Sequence, residues 1–429
     1  MFKKQWAKYG QLYLTYHTLI FLSIVAALAE LAYGVINQSA IPPYVQQIGL
    51  TAHIGVIYAT FLVVETIFKS PMGHLGDRWG RRPLIVGGAV TSAMTAMLTA
   101  MTTSLPCLLA LRAIDGVACA AIWPTMIAAI GGSVKPEKRT TAMSALTVVY
   151  IAGVSLGPLV GGVANDTTNS KLTSFYVVSA LFAITALVAL FLTPHRSKEE
   201  VLVAEEERPA KFSDIIVGIK SVPDMMILAF LAFFAIGIMI PIIKLFAMDE
   251  LGLSETGYGK MIFPIAIGVA VASIGAGHLG DGWGKVKSVR LGIFVTAAAM
   301  WAVVFSHSPW HMALAGIVLG IGFVIAMPAW LALVSDMAAP RMRGAVIGAL
   351  GTAQGFGAVA GAALGSYLYT SLRLSFNGLV FSPHRSPFAV SAMALTACIV
   401  LVFVFMREGD KRRIGGENGS ACVKAVAKR

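Results

Sequence analysis

The chain has 429 residues, of which 57% are hydrophobic and only 13% are charged. Soluble globular domains usually carry about 25% charged residues, so this composition excludes an ordinary soluble protein and indicates an integral membrane protein. The net charge of +12 would suit a nucleic-acid partner, but most lysines and arginines fall in the termini and in alternate loops. That asymmetry is typical of the positive-inside rule of membrane proteins, so we expect no nucleic acid to bind.

Twelve apolar runs predict twelve transmembrane helices. Most runs have about 20 residues or more, the length that an α-helix needs to cross a bilayer. An even number of spans leaves both termini on one side, and the basic loops place that side in the cytoplasm. We therefore predict a multi-pass protein of the inner (cytoplasmic) membrane with both termini cytoplasmic. The predicted spans are 12–40, 53–72, 84–103, 105–131, 140–164, 174–193, 225–248, 258–278, 288–306, 309–334, 343–370 and 386–406.

Polar segments divide the chain into four parts. The longest polar stretch between two spans follows the sixth span and predicts a cytoplasmic linker at 196–222. We assign 1–195 to an N-terminal six-helix bundle, 223–406 to a C-terminal six-helix bundle and 407–429 to a basic cytoplasmic tail. The predicted fold class is therefore all-α, with two bundles of six transmembrane helices each.

A charged, glycine-rich sequence occurs once in each half of the chain. Residues Gly73–Arg82 have the sequence GHLGDRWGRR, and Gly277–Lys285 have the sequence GHLGDGWGK. The same offset of 204 residues aligns Pro124 with Pro328. Because six spans separate the two copies, orientation is preserved and the halves are predicted to be parallel repeats. Charges are costly in hydrocarbon, so we expect the apolar helices to end before these segments, which would form glycine turns.

Three segments resemble a known family. Gly73–Arg82 resembles the signature loop between spans two and three of the major facilitator superfamily, and Leu111–Gly116 resembles its span-four motif. Gly153–Gly162 is similar to the span-five motif of the drug:proton antiporter branch. The resemblance implies the major facilitator fold, a transporter rather than an enzyme, and a central cavity with alternating access to the two sides of the membrane.

The repeated charged segments are also candidates for a conformational gate. The carboxylate of Asp77 could accept hydrogen bonds from a facing helix N-terminus or pair with Arg81, in one conformation and not in the other. The alternative is that the arginines only anchor the helix ends at the cytoplasmic surface. The assigned gate residues are Gly73, Asp77, Arg81, Gly277 and Asp281.

Small residues in the fifth span predict a close helix contact. Glycines at helical spacing let transmembrane helices approach each other, and proline interrupts the helix in which it lies. Such a contact would shape the interface along which the bundles rock, or it would serve packing alone. We assign to helix packing Gly153, Gly157, Pro158, Gly161 and Gly162.

Glu30 and Glu65 lie near the middle of the first and second predicted spans, and Arg112 and Asp115 lie in the fourth. A charge at the bilayer centre costs at least about 2.5–3.5 kcal/mol, so such residues usually face a cavity and carry a function. Arg112 and Asp115 are three positions apart and therefore lie on one helix face. The alternative is a static charge cluster that only holds spans one, two and four together. We assign to proton coupling Glu30, Glu65, Arg112 and Asp115.

Aromatic and polar residues within the spans predict a cavity that suits a lipophilic or amphipathic ligand. Each aromatic residue could instead serve helix packing. Lys244 is close enough to the outer end of its span to extend its ammonium group to the surface. The assigned cavity residues are Tyr33, Asn37, Trp123, Tyr150, Lys244, Trp330 and Gln354.

Short segments also resemble the bacterial flippase for the lipoteichoic-acid anchor glycolipid. The sequence departs from that family at two cavity positions, where Tyr33 replaces an arginine and Tyr150 replaces a tryptophan. The resemblance implies a lipid-like substrate. The similar segments are Glu30–Gly34, Ile122–Pro124, Met327–Trp330 and Gln354–Gly357.

The sequence therefore predicts a secondary transporter that exports a lipophilic or amphipathic small molecule in exchange for protons. The proton gradient is the expected driving force, with no bound cofactor and no metal ion. The expected partners are the lipid bilayer, the substrate and protons, and we expect a monomer. A lipid or glycolipid flippase of the same fold is the alternative function, and a proton-linked nutrient importer is the third.

Overall fold

The computed structural model describes residues 20–132, 139–192, 222–337, 343–372, 374–376 and 379–406. Within these ranges twelve long helices follow one another, each at the position of one predicted span. Eight of these described helices are, by length and composition alone, long and apolar enough to cross a membrane. The predicted all-α membrane fold is confirmed.

The helices keep the order of the predicted spans. Their bounds are α1 (Ile20–Gln47), α2 (Ile54–Trp79), α3 (Arg81–Thr99), α4 (Leu105–Gly132), α5 (Arg139–Thr168), α6 (Thr173–Leu192), α7 (Pro223–Asp249), α8 (Glu255–Trp283), α9 (Lys285–Val304), α10 (Pro309–Met337), α11 (Arg343–Ser371) and α12 (Ser386–Phe405). Between α11 and α12 lies an antiparallel hairpin that the sequence analysis does not predict, formed by β1 (Leu374–Phe376) and β2 (Leu379–Phe381), with Leu374 opposite Phe381.

The repeated charged segments are helical, so the expectation that the helices end before them is wrong. α2 continues to Trp79 and α8 continues to Trp283. The reason is length: the 26 residues of α2 extend about 39 Å at 1.5 Å per residue, whereas the hydrocarbon core is roughly 30 Å thick. The charged part of such a helix lies beyond the hydrocarbon without any break in the backbone hydrogen bonds.

Single glycines make the turns that follow these two helices. Gly80 has φ of +92° and Gly284 has φ of +93°, a backbone conformation that residues with a Cβ atom rarely adopt. A second pair, Gly49 after α1 and Gly252 after α7, has φ of +76° and +64°. The two halves of the chain therefore turn in the same way at corresponding places, as the sequence repeat predicts.

Prolines interrupt α1 and α7 at corresponding places. α1 contains a π-helical segment, Ile36–Ala40, just before Pro42 and Pro43. α7 is helical over Pro223–Met239, is interrupted next to Pro241, and resumes over Ile243–Asp249. Proline has no N–H to donate to the carbonyl four residues earlier and clashes with it, which accounts for both irregularities.

The helices form two compact units. Unit 1 holds the described residues of the first half of the chain, up to 192, together with Pro241–Ala266. Unit 2 holds the described residues from 222 to Ile240 and those that follow Ala266. The segment Pro241–Ala266, which we call the α7–α8 hairpin, contains the end of α7 and the start of α8. The domain boundaries at 195 and 223 stay predictions.

Candidate functional site

A buried ion pair lies at the centre of unit 1. Nη1 of Arg112 donates to Oδ2 of Asp115 at 2.7 Å, and the two side chains are each 2% exposed. Nη2 of Arg112 donates to Oδ1 of Asn37 at 2.7 Å, which joins α4 to α1. The guanidinium carbon also lies 4.2 Å from the ring centroid of Phe61 on α2, a favourable cation–π distance. The structure thus brings together two predicted coupling residues and one predicted cavity residue.

The network continues from Asp115 to a third helix. The hydroxyl of Ser92 on α3 donates to Oδ1 of Asp115 at 2.8 Å. The hydroxyl groups of Ser92 and Tyr33 are 3.0 Å apart, so one donates to the other. Because both carboxylate oxygens of Asp115 accept hydrogen bonds, the buried charge is compensated in the way that stable buried pairs require. Sequence analysis does not identify Ser92, since a serine in an apolar helix carries no signal of its partner.

Glu30 occupies a second polar position on α1. It is 2% exposed, and the side chain of Trp123 on α4 donates a hydrogen bond to its carboxylate. The rings of Trp123 and Tyr150 are 5.6 Å apart, and Tyr150 on α5 is 44% exposed. The three predicted residues therefore form one cluster, which we call the Glu30 cluster, with an exposed aromatic ring on one side.

Glu65 on α2 lies within electrostatic range of the Glu30 cluster. Its Oε1 atom is 2.9 Å from Nζ of Lys69, one turn along the same helix. The Lys69 side chain is 49% exposed, so one end of this ion pair lies at the surface of unit 1. Glu65 is thus already paired with a cation.

The glycines of α5 hold Glu30 in place by bringing the α5 backbone against α1. A Cβ atom at Gly153 would be 2.6 Å from Cβ of Glu30, and one at Gly157 would be 2.6 Å from Cα of Gly34. A Cβ atom at Gly161 would be 2.5 Å from Cβ of Ser39. Since real Cβ contacts are longer than these distances, the helices can pack this closely only because the positions are glycines. α5 continues through Pro158 from Arg139 to Thr168, so the expectation that this proline interrupts the helix is wrong.

We predict that Gly157→Ala lowers the thermal unfolding temperature, whereas Gly87→Ala does not. The new methyl group at 157 meets backbone atoms, and overpacking of this kind costs about 1–3 kcal/mol. Nothing lies within 4 Å of a Cβ atom at Gly87, and alanine at a helical position gains up to about 1 kcal/mol over glycine. Tryptophan fluorescence during heating of the two purified variants measures the difference, and equal unfolding temperatures would contradict the close α1–α5 contact.

Unit 2 contains two of the predicted cavity residues, Trp330 and Gln354. Trp330 is 3% exposed and packs in the hydrophobic core of this unit. Nε1 of Trp330 and Nε2 of Gln354 are buried without a hydrogen-bond partner among the described residues. The glycines of α11 pack on α7 as those of α5 pack on α1: a Cβ atom at Gly361 would meet the backbone of Phe234 and Ile238. The cavity role of Trp330 and Gln354 stays a prediction.

The predicted gate residues belong to helices or helix ends. Gly73 lies in α2 opposite Pro124 of α4. A Cβ atom placed at Gly73 would be 3.9 Å from Cβ of Pro124. Arg81 is the first residue of α3. The side chains of Asp77 and Asp281, and position 277, lie outside the residues whose packing is described. The gate role stays a prediction.

Lys244 is buried. The expectation that its ammonium group extends to the outer surface is therefore wrong. Its side chain is 1% exposed, and Nζ lies 2.7 Å from Oε2 of Glu255. The ammonium group is therefore neutralised within unit 1. Sequence analysis does not identify Glu255, because a glutamate at the polar edge of a span is expected to face solvent.

Among the described residues no group of three or more His, Cys, Asp or Glu side chains could hold a metal ion.

The sequence profile of the Major Facilitator Superfamily matches residues 22–226 and again residues 225–426. The chain belongs to the Major Facilitator Superfamily. It is therefore a multi-pass membrane transporter and not an enzyme. The two matches divide this major facilitator into the same halves as the repeated charged segments.

Curated relatives of this major facilitator include drug-resistance proteins. It is 25% identical to the multidrug resistance protein MdtG of Enterobacter lignolyticus (strain SCF1) over 365 residues, covering 79% of this chain and 85% of the relative. It is 24% identical to the MdtG of Salmonella typhimurium over 301 residues, covering 67% and 73% of the two chains.

Solved structures with the same fold transport chemically different compounds. The nucleoside transporter NupG superposes with a TM-score of 0.74 at 15% identity, covering 91% of this chain and 98% of NupG. The human organic anion transporter MFSD10 (TETRAN) superposes with a TM-score of 0.64 at 16% identity, covering 90% and 99%. At these identities the likeness shows the fold of this major facilitator and not its substrate.

Proposed function

We propose that this major facilitator exports a lipophilic or amphipathic compound in exchange for protons, with Glu30 as the proton carrier. The observation that supports the proposal is the pairing of the buried acids in unit 1. Asp115 is paired with Arg112, and Glu65 is paired with Lys69. Among the ion pairs of the described residues, none involves Glu30. A buried carboxylate without a cation is costly in its charged form, so proton binding relieves that cost.

The surroundings of Glu30 suit competition between a proton and a substrate. Trp123 donates a hydrogen bond to the carboxylate and contacts the ring of Tyr150. Aromatic surfaces with one charged group are typical of sites for lipophilic or amphipathic ligands. A substrate that contacts these rings would disturb the hydrogen bond to Glu30 and favour proton release. The relatives named multidrug resistance proteins support export of such compounds.

The Arg112–Asp115 network has a separate role in the proposal. Its charges are compensated by each other, by Asn37 and by Ser92. Such a network fixes the register of α1, α3 and α4, because moving any of these helices would leave a buried charge without partners. We propose that it holds α1 in the position in which Glu30 meets Trp123.

The test uses purified protein in liposomes with an imposed pH gradient and a panel of lipophilic cations, neutral drugs and labelled lipids. Proton flux that requires one class of small compound, opposite in direction to that compound, is the expected result. Movement of a labelled lipid between leaflets without proton movement would favour the flippase. Proton and compound moving in the same direction would favour an importer and contradict export.

A further inference from the structure

One face of α9 in unit 2 is cationic at its start and apolar one turn further on. Lys287, Arg290 and Phe294 are three and four positions apart, so they share a helix face. Lys287 is exposed, Arg290 is partly buried and Phe294 is 57% exposed. α9 begins at Lys285, so both cations of this face lie in the first two turns of the helix.

α12 packs beside this face and holds Arg290 in place. Nη2 of Arg290 donates a hydrogen bond to the carbonyl oxygen of Met406, the residue that follows α12. The guanidinium carbon lies 4.6 Å from the ring centroid of Phe403, a favourable cation–π distance. A guanidinium has more N–H donors than this one hydrogen bond uses. We call the surface formed by Lys287, Arg290, Phe294 and Phe403 the α9–α12 surface.

The two ends of the α9–α12 surface suit different parts of a bilayer. Trp283, which ends α8 just before the turn to α9, is 59% exposed. Exposed tryptophans and the charged tips of long basic side chains are typical of the boundary between headgroups and hydrocarbon. Phe403 is 55% exposed, and Val400, one turn deeper on α12, is 61% exposed. The cations are therefore at headgroup level, whereas the apolar side chains are suited to contact acyl chains.

The charge of the α9–α12 surface favours one class of lipid. Neither α9 nor α12 contains an acidic residue, and α9 has three cations in its first two turns. The start of α7 packs in the same hydrophobic core and adds one acid, Asp224, which the three cations outnumber. A lipid phosphate without an ammonium group of its own would neutralise the remaining charge. The ammonium group of a zwitterionic headgroup would instead bring a like charge beside the cations.

We propose that the α9–α12 surface binds one anionic phospholipid. The lipid phosphate accepts charge-assisted hydrogen bonds from Lys287 and Arg290, and an acyl chain lies along Phe294 and Phe403. Basic pockets between transmembrane helices suit acidic headgroups, and the positive-inside rule assigns this end of α9 to the cytoplasmic leaflet. The inference does not depend on the proposed function, because it concerns a lipid of the bilayer and not the transported compound.

The test uses a tryptophan introduced into the α9–α12 surface as a reporter. Full-length Phe294→Trp protein is placed in phosphatidylcholine liposomes with increasing amounts of a brominated lipid, which quenches nearby tryptophans. The emission of the wild-type protein in the same liposomes is subtracted. We expect half-maximal quenching at a mole fraction at least about fivefold lower for brominated phosphatidylglycerol than for brominated phosphatidylcholine. One basic residue near an anionic membrane surface contributes about this factor in affinity.

Charge-removing variants identify the headgroup contact. Lys287→Gln in the Phe294→Trp background should reduce the preference for phosphatidylglycerol to less than about twofold. Lys260→Gln is the matched control, since it removes an exposed lysine at the opposite end of α8, and it should keep the preference. Arg290→Gln should also lower the preference. Because Arg290 contacts α12, thermal unfolding of that variant is measured first, and Lys287→Gln decides the result if Arg290→Gln does not fold.

Four outcomes would overturn the proposal. Equal quenching by the two brominated lipids would mean that the α9–α12 surface contacts bulk lipid without selection. A preference that persists in both Lys287→Gln and Arg290→Gln would place the headgroup elsewhere. Loss of the preference on addition of inorganic phosphate would assign the cations to a free anion. A dimer in native mass spectrometry that dissociates in Phe294→Trp would assign the apolar side chains to a second copy of the chain.

Discussion

Glu30→Gln should abolish substrate-driven proton flux in liposomes while the protein stays folded. Glutamine has the shape of glutamate and its carbonyl oxygen still accepts the hydrogen bond from Trp123, so the α1–α4 contact is kept. Its amide neither binds nor releases a proton near neutral pH. The measurement is the rate of internal pH change after substrate addition, which should fall to the rate of liposomes without protein.

Two controls make this result specific. Exchange of labelled substrate across the membrane without a pH gradient should persist in Glu30→Gln, since that reaction requires no net proton transfer. Glu65→Gln should slow coupled flux without abolishing it, because Glu65 is already paired with Lys69. Wild-type flux in Glu30→Gln excludes Glu30 as the carrier, and complete loss in Glu65→Gln alone would assign the role to Glu65.

The second large effect is expected from Asp115→Leu, which should destabilise the protein by about 3–5 kcal/mol because the buried Arg112 guanidinium loses its counter-ion. Arg112 is 1% exposed, so water cannot replace the lost carboxylate. A second substitution, Arg112→Met in the Asp115→Leu background, should restore most of the stability. Thermal unfolding of the single and double variants measures both effects.

Transport measurements on the same two variants distinguish a role of the network in stability from a role in transport. The double variant should remain folded but transport poorly, because α1 loses the contact of Arg112 with Asn37. A double variant with wild-type flux would show that the network serves stability alone. A single variant as stable as wild type would contradict the buried ion pair itself.

Hydropathy was sufficient to predict the number and order of the helices, because a segment must be apolar over about 20 residues to cross the hydrocarbon. Hydropathy does not determine where the helices end, because backbone hydrogen bonding and glycine turns decide that. Charged residues such as Arg78 led to the wrong expectation of a loop, since backbone hydrogen bonding continues outside the hydrocarbon and only Gly80 provides the turn.

Contacts within one helix were also predictable, whereas contacts between helices were not. The spacing of Arg112 and Asp115 requires that they share a face. Their partners Asn37 and Ser92 depend on the register between helices, which is set by packing. The burial of Glu255 was unpredictable for the same reason, because it depends on contacts with Asn165 and Gly162 of α5.

The glycine contact between α1 and α5 has a consequence for the evolution of substrate range. Every larger residue at Gly153 or Gly157 meets backbone or Cβ atoms of α1, so laboratory selection for altered transport should not recover changes there. Tyr150, on the same helix, is 44% exposed and tolerates rings and chains of other sizes. Among these three positions of α5, adaptive substitutions should therefore occur at Tyr150 and not at the two glycines.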